Sequence, residues 1–81
     1  MLTPQEISDL IEKITRRFEV ELPLEFEDFQ YTGEELYICF KKGEANSSFE
    51  LSKGITIEFD SDSRIIGLRI ESISEFLPRN L

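Results

Sequence analysis

The feature that most constrains the fold is a pair of alternating runs in the second half of the chain. Apolar and polar side chains alternate without a break over residues 55–60, and a second alternating run covers residues 65–70. A period of two residues is typical of strands that bury one face. Because residues 61–63 between the two runs are polar and favour a turn, the runs predict an antiparallel hairpin.

Shorter alternating runs predict the rest of a sheet. Residues 36–41 alternate in the same way, and residues 49–51 form a short strand that the tight-turn pair Lys53-Gly54 joins to the hairpin. Upstream, apolar and polar residues alternate over residues 22–31, but the apolar positions change from even to odd numbers once. This change predicts either a strand with a bulge or two short extended pieces. Pro23 places this region at a sheet edge or at the start of a strand.

Residues 3–18 predict an amphipathic N-terminal helix. Their apolar side chains recur every three or four positions, which defines one stripe for burial. Thr3 can cap the first turn, Pro4 fits the first helical position, and Glu6 can complete a capping box with Thr3. The start of the helix is therefore well defined by the sequence.

Together these elements predict an α+β fold, in which the N-terminal helix packs on one face of a four- or five-stranded antiparallel sheet. We expect one domain over residues 1–81, ending in a short C-terminal helical turn that holds Ile73, Phe76 and Leu77 and stops before Pro78. The predicted core consists of the apolar side chains that share the helix stripe or one strand face: Ile7, Leu10, Ile11, Ile14, Phe18, Leu36, Ile38, Phe40, Ile55, Ile57, Phe59, Ile66, Leu68 and Ile70.

Composition excludes several kinds of chemistry. Seventeen acidic residues against nine basic ones give a net charge of −8, which disfavours nucleic acid and anionic membrane surfaces as partners. With no His and a single Cys, the chain cannot build a His-based triad, a zinc cage or an internal disulfide by itself. Since neither a signal pattern nor a long apolar run is present, we expect a cytoplasmic protein without a cofactor, in which Cys39 acts as a small hydrophobic residue.

Most of the negative charge lies in residues 19–35, here called the acidic segment, which contains seven carboxylates and no Lys or Arg. One hypothesis is that the segment binds a basic protein partner, because a cationic surface would relieve the repulsion among the carboxylates. The alternative is that the charge only keeps an edge strand soluble and unpaired. The candidate partner-binding residues are Glu25, Glu27, Asp28, Glu34 and Glu35.

A calcium loop is the first alternative use of the carboxylates. Asp60, Asp62 and Glu71 occupy positions 1, 3 and 12 of an EF-hand register. However, Arg64 takes a position that needs an oxygen ligand, and Ile65 takes the position that needs Gly. We therefore expect a hairpin turn in which Asp side chains accept hydrogen bonds from their own backbone.

Paired carboxylates are the second alternative. Glu34 with Glu35, or Glu58 with Asp60, have the composition of an acid–base pair. The residues around them supply neither a nucleophile with an activating base nor a Gly-rich phosphate loop, so a solvated sheet face is the favoured interpretation.

Several of these segments together resemble a known family. The segments are Tyr31, the Glu-Leu-Tyr-Ile of residues 35–38, the Lys-Gly-Ile-Thr-Ile-Glu of residues 53–58, and the Asp-x-Asp turn with its Ile-x-Gly-Leu-x-Ile strand in residues 60–70. In this order they resemble the pattern of the DUF2283, or YuzE-like, family of small bacterial and archaeal proteins. The resemblance covers residues 31–75. Ser63 stands where a Gly commonly completes the turn, and the helix lies outside the resembling region.

The resemblance implies a compact antiparallel sheet with a helix and a family whose biochemical function is not established. The genes of its members are often found beside those of toxin-like partners, which implies an antitoxin-like or other partner-binding role. From the residues, we expect a non-enzymatic interaction module; the alternative is a small ligand-binding or carboxylate-based enzymatic role. A homodimer is a further expectation, because Tyr37, Cys39 and Ile65 would leave the second sheet face partly apolar unless the C-terminal turn covers it.

Overall fold

The computed structural model describes residues 2–73, which form a helix and a five-stranded antiparallel sheet. The strand order β1-β2-β5-β4-β3 leaves β1 and β3 at the two edges. The predicted α+β class is confirmed, whereas the predicted C-terminal turn with Phe76 and Leu77 lies outside the described residues. The elements are α1 (Pro4–Phe18), β1 (Asp28–Tyr31), β2 (Leu36–Cys39), β3 (Ser47–Ser52), β4 (Ile55–Phe59) and β5 (Ile65–Ile70).

The helix begins at the predicted capping box. The Glu6 backbone N–H donates to Thr3 Oγ1 at 3.2 Å, and the Thr3 N–H donates to Glu6 Oε1 at 2.9 Å, so two otherwise unpaired donors are satisfied. The helix ends at Phe18, and the C-cap residue Glu19 adopts a left-handed conformation with φ 52° and donates its N–H to the Thr15 carbonyl. Within the described residues, no helix is both long and apolar enough to cross a bilayer.

The buried core lies between α1 and one face of the sheet. All predicted core residues are buried except Phe18 and Phe59, which are partly buried and pack against the margin of the core. Ile66 is buried but lies outside the main cluster of core residues. Three further side chains, Leu2, Leu22 and Ile73, are also buried. Burial of each large aliphatic side chain is worth about 1.5–3 kcal/mol, so α1 contributes much of the stability through its buried stripe.

A register shift between β4 and β5 corrects one expectation. Ladder pairs Ile57–Leu68 and Glu58–Gly67 are followed by Phe59 opposite Ile65, so β5 carries one extra residue at this end. Ile65 is partly buried and packs against the core. It therefore does not extend an apolar second face, as the strict alternation had predicted.

The acidic segment forms less strand than its alternation predicted. Only residues 28–31 form a strand, as β1, while residues 20–27 lie outside it and reach the sheet at Glu27, whose N–H donates to the Cys39 carbonyl at 2.8 Å. Leu22 is buried and Leu24 is exposed, so the alternating side chains do not share one face. Phe26 meets Phe29 of β1 edge to face, with ring centroids 6.0 Å apart.

Candidate functional site

The sheet face opposite α1, here called the outer face, is built from two rows of side chains that the strand register aligns. Both rows cross all five strands, and most of their members are polar or charged. From β1 to β3, the rows are Gln30, Tyr37, Arg69, Thr56 and Glu50, and then Asp28, Cys39, Gly67, Glu58 and Ser48.

Tyr37 links these two rows. Its ring lies over Gly67, and its hydroxyl donates a hydrogen bond of 2.8 Å to Glu58 Oε1 on the far side. A Cβ at position 67 would stand 2.9 Å from Tyr37 Cζ and 3.0 Å from Glu58 Oε1, which is closer than side chains normally approach. Gly67 is therefore the residue that allows the phenol to cross from β2 to the carboxylate on β4.

Arg69 completes the cluster from above the same ring. Its guanidinium carbon lies 5.3 Å from the Tyr37 ring centroid, Nη2 lies 3.3 Å from Glu58 Oε2, and Nη1 lies 3.4 Å from Glu35 Oε1. The Arg69 and Glu35 side chains are 42% and 45% exposed, against 16% for Glu58. Solvent screens the Glu35 pair, so it contributes at most about 1 kcal/mol, whereas Glu58 is the anchored member.

The protonation state of Tyr37 follows from this environment. Burial, together with the hydrogen bond to Glu58 and the negative charge of Glu58, raises the pKa of the phenol from 10.0 to about 12. Tyr37 is therefore a neutral hydrogen-bond donor at physiological pH and cannot serve as a base.

An open pocket of about 280 Å³ lies beside the cluster. The two carboxylates that line it both pair with Arg69, and Glu58 also accepts from Tyr37. The walls therefore present hydrogen-bonding groups that are already engaged within the chain, rather than a nucleophile beside a free base. The lining residues are Gln30, Thr32, Glu35, Tyr37, Glu58 and Arg69.

The five candidate partner-binding residues lie along β1 and at its two ends. Glu25 and Glu27 are exposed in the loop before β1, and Glu34 is exposed in the turn after it. Asp28 opens the strand, and its carboxylate accepts a 2.8 Å hydrogen bond from the Phe29 N–H. Glu35 differs from the other four in its surroundings, because its carboxylate contacts Arg69 on the outer face.

Leu24 is the feature of the acidic segment that sequence reasoning missed. Its side chain is 80% exposed, the largest exposure among the large hydrophobic residues that the structure describes. It borders a shallow hollow of about 410 Å³ between the start of α1 and the acidic segment. The neighbouring Pro23 was the available signal, because a proline interrupts strand pairing, and alternation does not assign a side chain to a buried face outside a paired strand.

The loop with the partial EF-hand register, residues 60–63, is a hairpin turn. Asp60 Oδ1 accepts hydrogen bonds from the N–H groups of Asp62 and Arg64, at 2.8 and 2.9 Å. Glu71, at the other end of β5, lies beside the β3–β4 turn, where its N–H donates to the Gly54 carbonyl. The expected aspartate turn is confirmed, and residues 2–73 contain no group of three or more Cys, Asp or Glu side chains placed to hold a metal ion.

A family model described as a protein of unknown function, DUF2283, matches residues 34–74 of the chain. The matched region contains β2 to β5 and thus the whole Tyr37, Gly67, Glu58 and Arg69 cluster. Neither α1 nor β1 belongs to it, nor does Leu24. No curated protein and no solved structure matches the chain.

Proposed function

Because the chain belongs to the DUF2283 family, whose function is unknown, we propose a function from its own surface: it is a non-enzymatic interaction module that binds a basic protein partner through the acidic segment. The family resemblance suggests a more specific version of this proposal, in which the chain is antitoxin-like and its partner is a toxin-like protein.

The observation that carries the proposal is the exposure of Leu24 within this charged surface. A leucine that is 80% exposed gains about 1.5–3 kcal/mol when a partner buries it, which is the scale of an interface hot spot. Exposed carboxylates at Glu21 and Glu25 flank it along the chain. An apolar anchor with a polar, single-sign rim is a common arrangement at protein interfaces.

The chemistry of the partner follows from the charge. From residue 19 to residue 35 the chain has seven carboxylates and no Lys or Arg, and the Glu35 carboxylate pairs with Arg69. A partner with Lys and Arg around an apolar pocket would be steered toward the segment and held by Leu24. Association of this kind is fast at low salt and weakens as salt is added.

The outer face supports a non-enzymatic role. Tyr37 keeps its proton, and the Glu58 carboxylate is engaged by both Tyr37 and Arg69. Acid–base catalysis needs a group that can give up or take a proton near the working pH, and the raised pKa of about 12 holds the Tyr37 phenol away from that condition. The cluster instead ties β2, β5 and β4 together, as a structural network would.

The test compares two variants that each remove one exposed large hydrophobic side chain. Immobilised wild-type protein, Leu24→Ser and Phe49→Ser are incubated with lysate of the native cell, and captured proteins are identified by mass spectrometry. We expect a basic protein on the wild type and on Phe49→Ser that is lost from Leu24→Ser. A partner that Leu24→Ser retains, or a partner that is acidic, contradicts the proposal.

The identified partner then permits a kinetic test of the charge. Neutralising three carboxylates of the acidic segment should slow association and flatten its salt dependence, while neutralising three exposed carboxylates elsewhere should leave both unchanged. Equal effects of the two sets would mean that only net charge matters and would remove the acidic segment as the docking surface. The test set is Glu25→Gln, Glu27→Gln and Glu34→Gln, and the control set is Glu44→Gln, Asp62→Asn and Glu71→Gln.

A further inference from the structure

We propose that the β3 edge of the sheet pairs with the β3 edge of a second copy of this chain, antiparallel and centred on Phe49. The inference is independent of the basic partner, because it concerns the opposite edge of the sheet from the acidic segment. It also differs from a dimer through the outer face, which Tyr37 and Arg69 make polar.

The two edges of the sheet differ in how they resist pairing. Four carboxylates lie on β1 or beside its ends, so two β1 edges brought together would face one another with like charges. On β3, the whole strand Ser47–Ser52 contains a single carboxylate, Glu50, and neither a Lys nor a Pro that would block the addition of a strand. Its register with β4 shifts between Glu50 and Ser52, so the regular part of the edge is residues 47–50.

Exposure also singles out β3. Residues 47–50 are exposed at every position, including both faces of the strand. Phe49, which the register places on the same face as the buried Ile57, is 58% exposed. The apolar surface of the helix-side face therefore runs to the sheet edge and ends there on an uncovered aromatic ring.

The β3 sequence is complementary to itself in the antiparallel arrangement. When Phe49 lies opposite Phe49 of the second copy, the two rings meet on the helix-side face, where aromatic cross-strand pairs are favourable. Ser48 then lies opposite Glu50 of the second copy on the outer face, and each serine hydroxyl can donate to a carboxylate. This contact uses the same patch on both copies, so it closes as a twofold dimer instead of growing into a filament.

Two properties of the dimer follow from its size and charge. A contact made by one six-residue strand is smaller than the roughly 1,200 Å² of a standard stable interface, so the association is weak and depends on concentration. Each copy carries a net charge of −8, so salt screens the repulsion between copies and increases the dimer fraction. Binding of a basic partner has the opposite salt dependence, which keeps the two interactions distinguishable.

The main experiment measures the full chain by sedimentation velocity over a range of protein and salt concentrations, together with amide hydrogen exchange. We expect a monomer–dimer equilibrium that shifts toward the dimer at high salt. Exchange of the amides in residues 46–50 should slow as the protein concentration rises, while exchange in β1 stays constant. A monomer at every concentration overturns the proposal, as does a dimer whose added protection falls on β1 or on the outer face.

Matched variants test the centre of the pairing. Phe49→Lys places two ammonium groups side by side at the twofold axis and should weaken dimerisation at least about tenfold. Leu24→Lys makes the same charge change on another exposed hydrophobic residue and should dimerise at least as well as the wild type. If both variants dimerise equally, the interface lies elsewhere.

A variant that should strengthen the dimer tests the register of the two β3 strands. This test does not depend on how well Phe49→Lys folds. Ser48→Lys puts an ammonium group opposite Glu50 of the second copy, twice in each dimer, and should strengthen dimerisation. Ser47→Lys carries the same charge one position away, where the register offers no carboxylate, and should give no comparable gain. Equal strengthening by the two variants overturns the register centred on Phe49.

Discussion

The ring of Tyr37 lies directly over Gly67 on the neighbouring strand, and this contact decides which residue position 67 can hold. The ring covers the glycine and reaches Glu58 beyond it, so the tyrosine supplies the packing that a side chain at position 67 would otherwise give. The pair lies on β2 and β5, which are neighbours in the sheet but not in the chain.

The first prediction concerns this contact. Gly67→Ala should lower the free energy of unfolding by about 1–3 kcal/mol, because the new methyl group meets the phenol and the Glu58 carboxylate. In a Tyr37→Leu background the phenol is absent, and the same substitution should be neutral or stabilising, since Ala is better than Gly within a strand. Denaturant unfolding of the wild type, the two single variants and the double variant gives the coupling energy between positions 37 and 67. An equal loss of stability on Gly67→Ala in both backgrounds would contradict the prediction.

The second prediction is an alkaline loss of stability that depends on Tyr37. The pKa of this phenol is raised from 10.0 to about 12 in the folded chain. The unfolded chain therefore loses the proton first, and the stabilisation that is complete below pH 10 is lost as the pH rises toward 12. Unfolding measured against pH should show a smaller alkaline loss for Tyr37→Phe than for the wild type.

The matched control for this titration is the other tyrosine. Tyr31→Phe removes a phenol that donates to the Gly33 carbonyl in the β1–β2 turn and does not contact Glu58. Tyr31→Phe should lose as much stability at alkaline pH as the wild type does, whereas Tyr37→Phe should lose less. If the two variants lose stability alike above pH 10, the shift does not arise from the Tyr37 environment.

Local patterns were sufficient to predict the elements whose residues interact within a few positions. The Thr3–Glu6 capping box and the hairpin built from residues 55–70 both follow from spacing alone, and both are present. The exposure of Leu24 did not follow from the alternation of residues 22–31, because alternation assigns side chains to faces only within a strand, and residues 20–27 lie outside β1. Ile65 was misplaced because the bulge depends on the ladder with β4.

The outer-face cluster could not be predicted from the sequence for a different reason. Arg69 is 32 positions from Tyr37, and the two residues meet only because β2 pairs with β5 instead of with β3. The order of strands in a sheet depends on long-range packing, which single-chain periodicity does not encode. The sequence therefore identified Glu58 as a polar strand residue without revealing the partners that fix its role.

The third prediction concerns the Asp60 turn. The backbone N–H of Arg64, followed by that of Asp62, lowers the pKa of the Asp60 carboxyl, so the charged form stabilises the turn. This contribution is present above the ordinary pKa of the group and is lost as the pH falls through its lowered value. Asp60→Ala should lower the thermal midpoint at neutral pH and reduce the acid-induced loss of stability.

Asp62→Ala is the matched control, because Asp62 stands two positions away and contributes its backbone N–H to this turn. That N–H survives the substitution, so the thermal midpoint should change less than in Asp60→Ala. Equal effects of the two substitutions would show that total charge, and not the hydrogen bonds to Asp60, accounts for the result.

The last prediction concerns Ser63, which closes the same turn with φ 62°, a left-handed conformation that costs a serine energy and a glycine almost none. Ser63→Gly should therefore raise the free energy of unfolding by about 0.5–1 kcal/mol, the usual size of such backbone effects. Ser61→Gly is the control, since Ser61 is not among the described residues with positive φ and the added glycine only increases the freedom of the unfolded chain. Denaturant unfolding should move the two variants in opposite directions, and a loss of stability in Ser63→Gly would mean that the serine conformation is not strained.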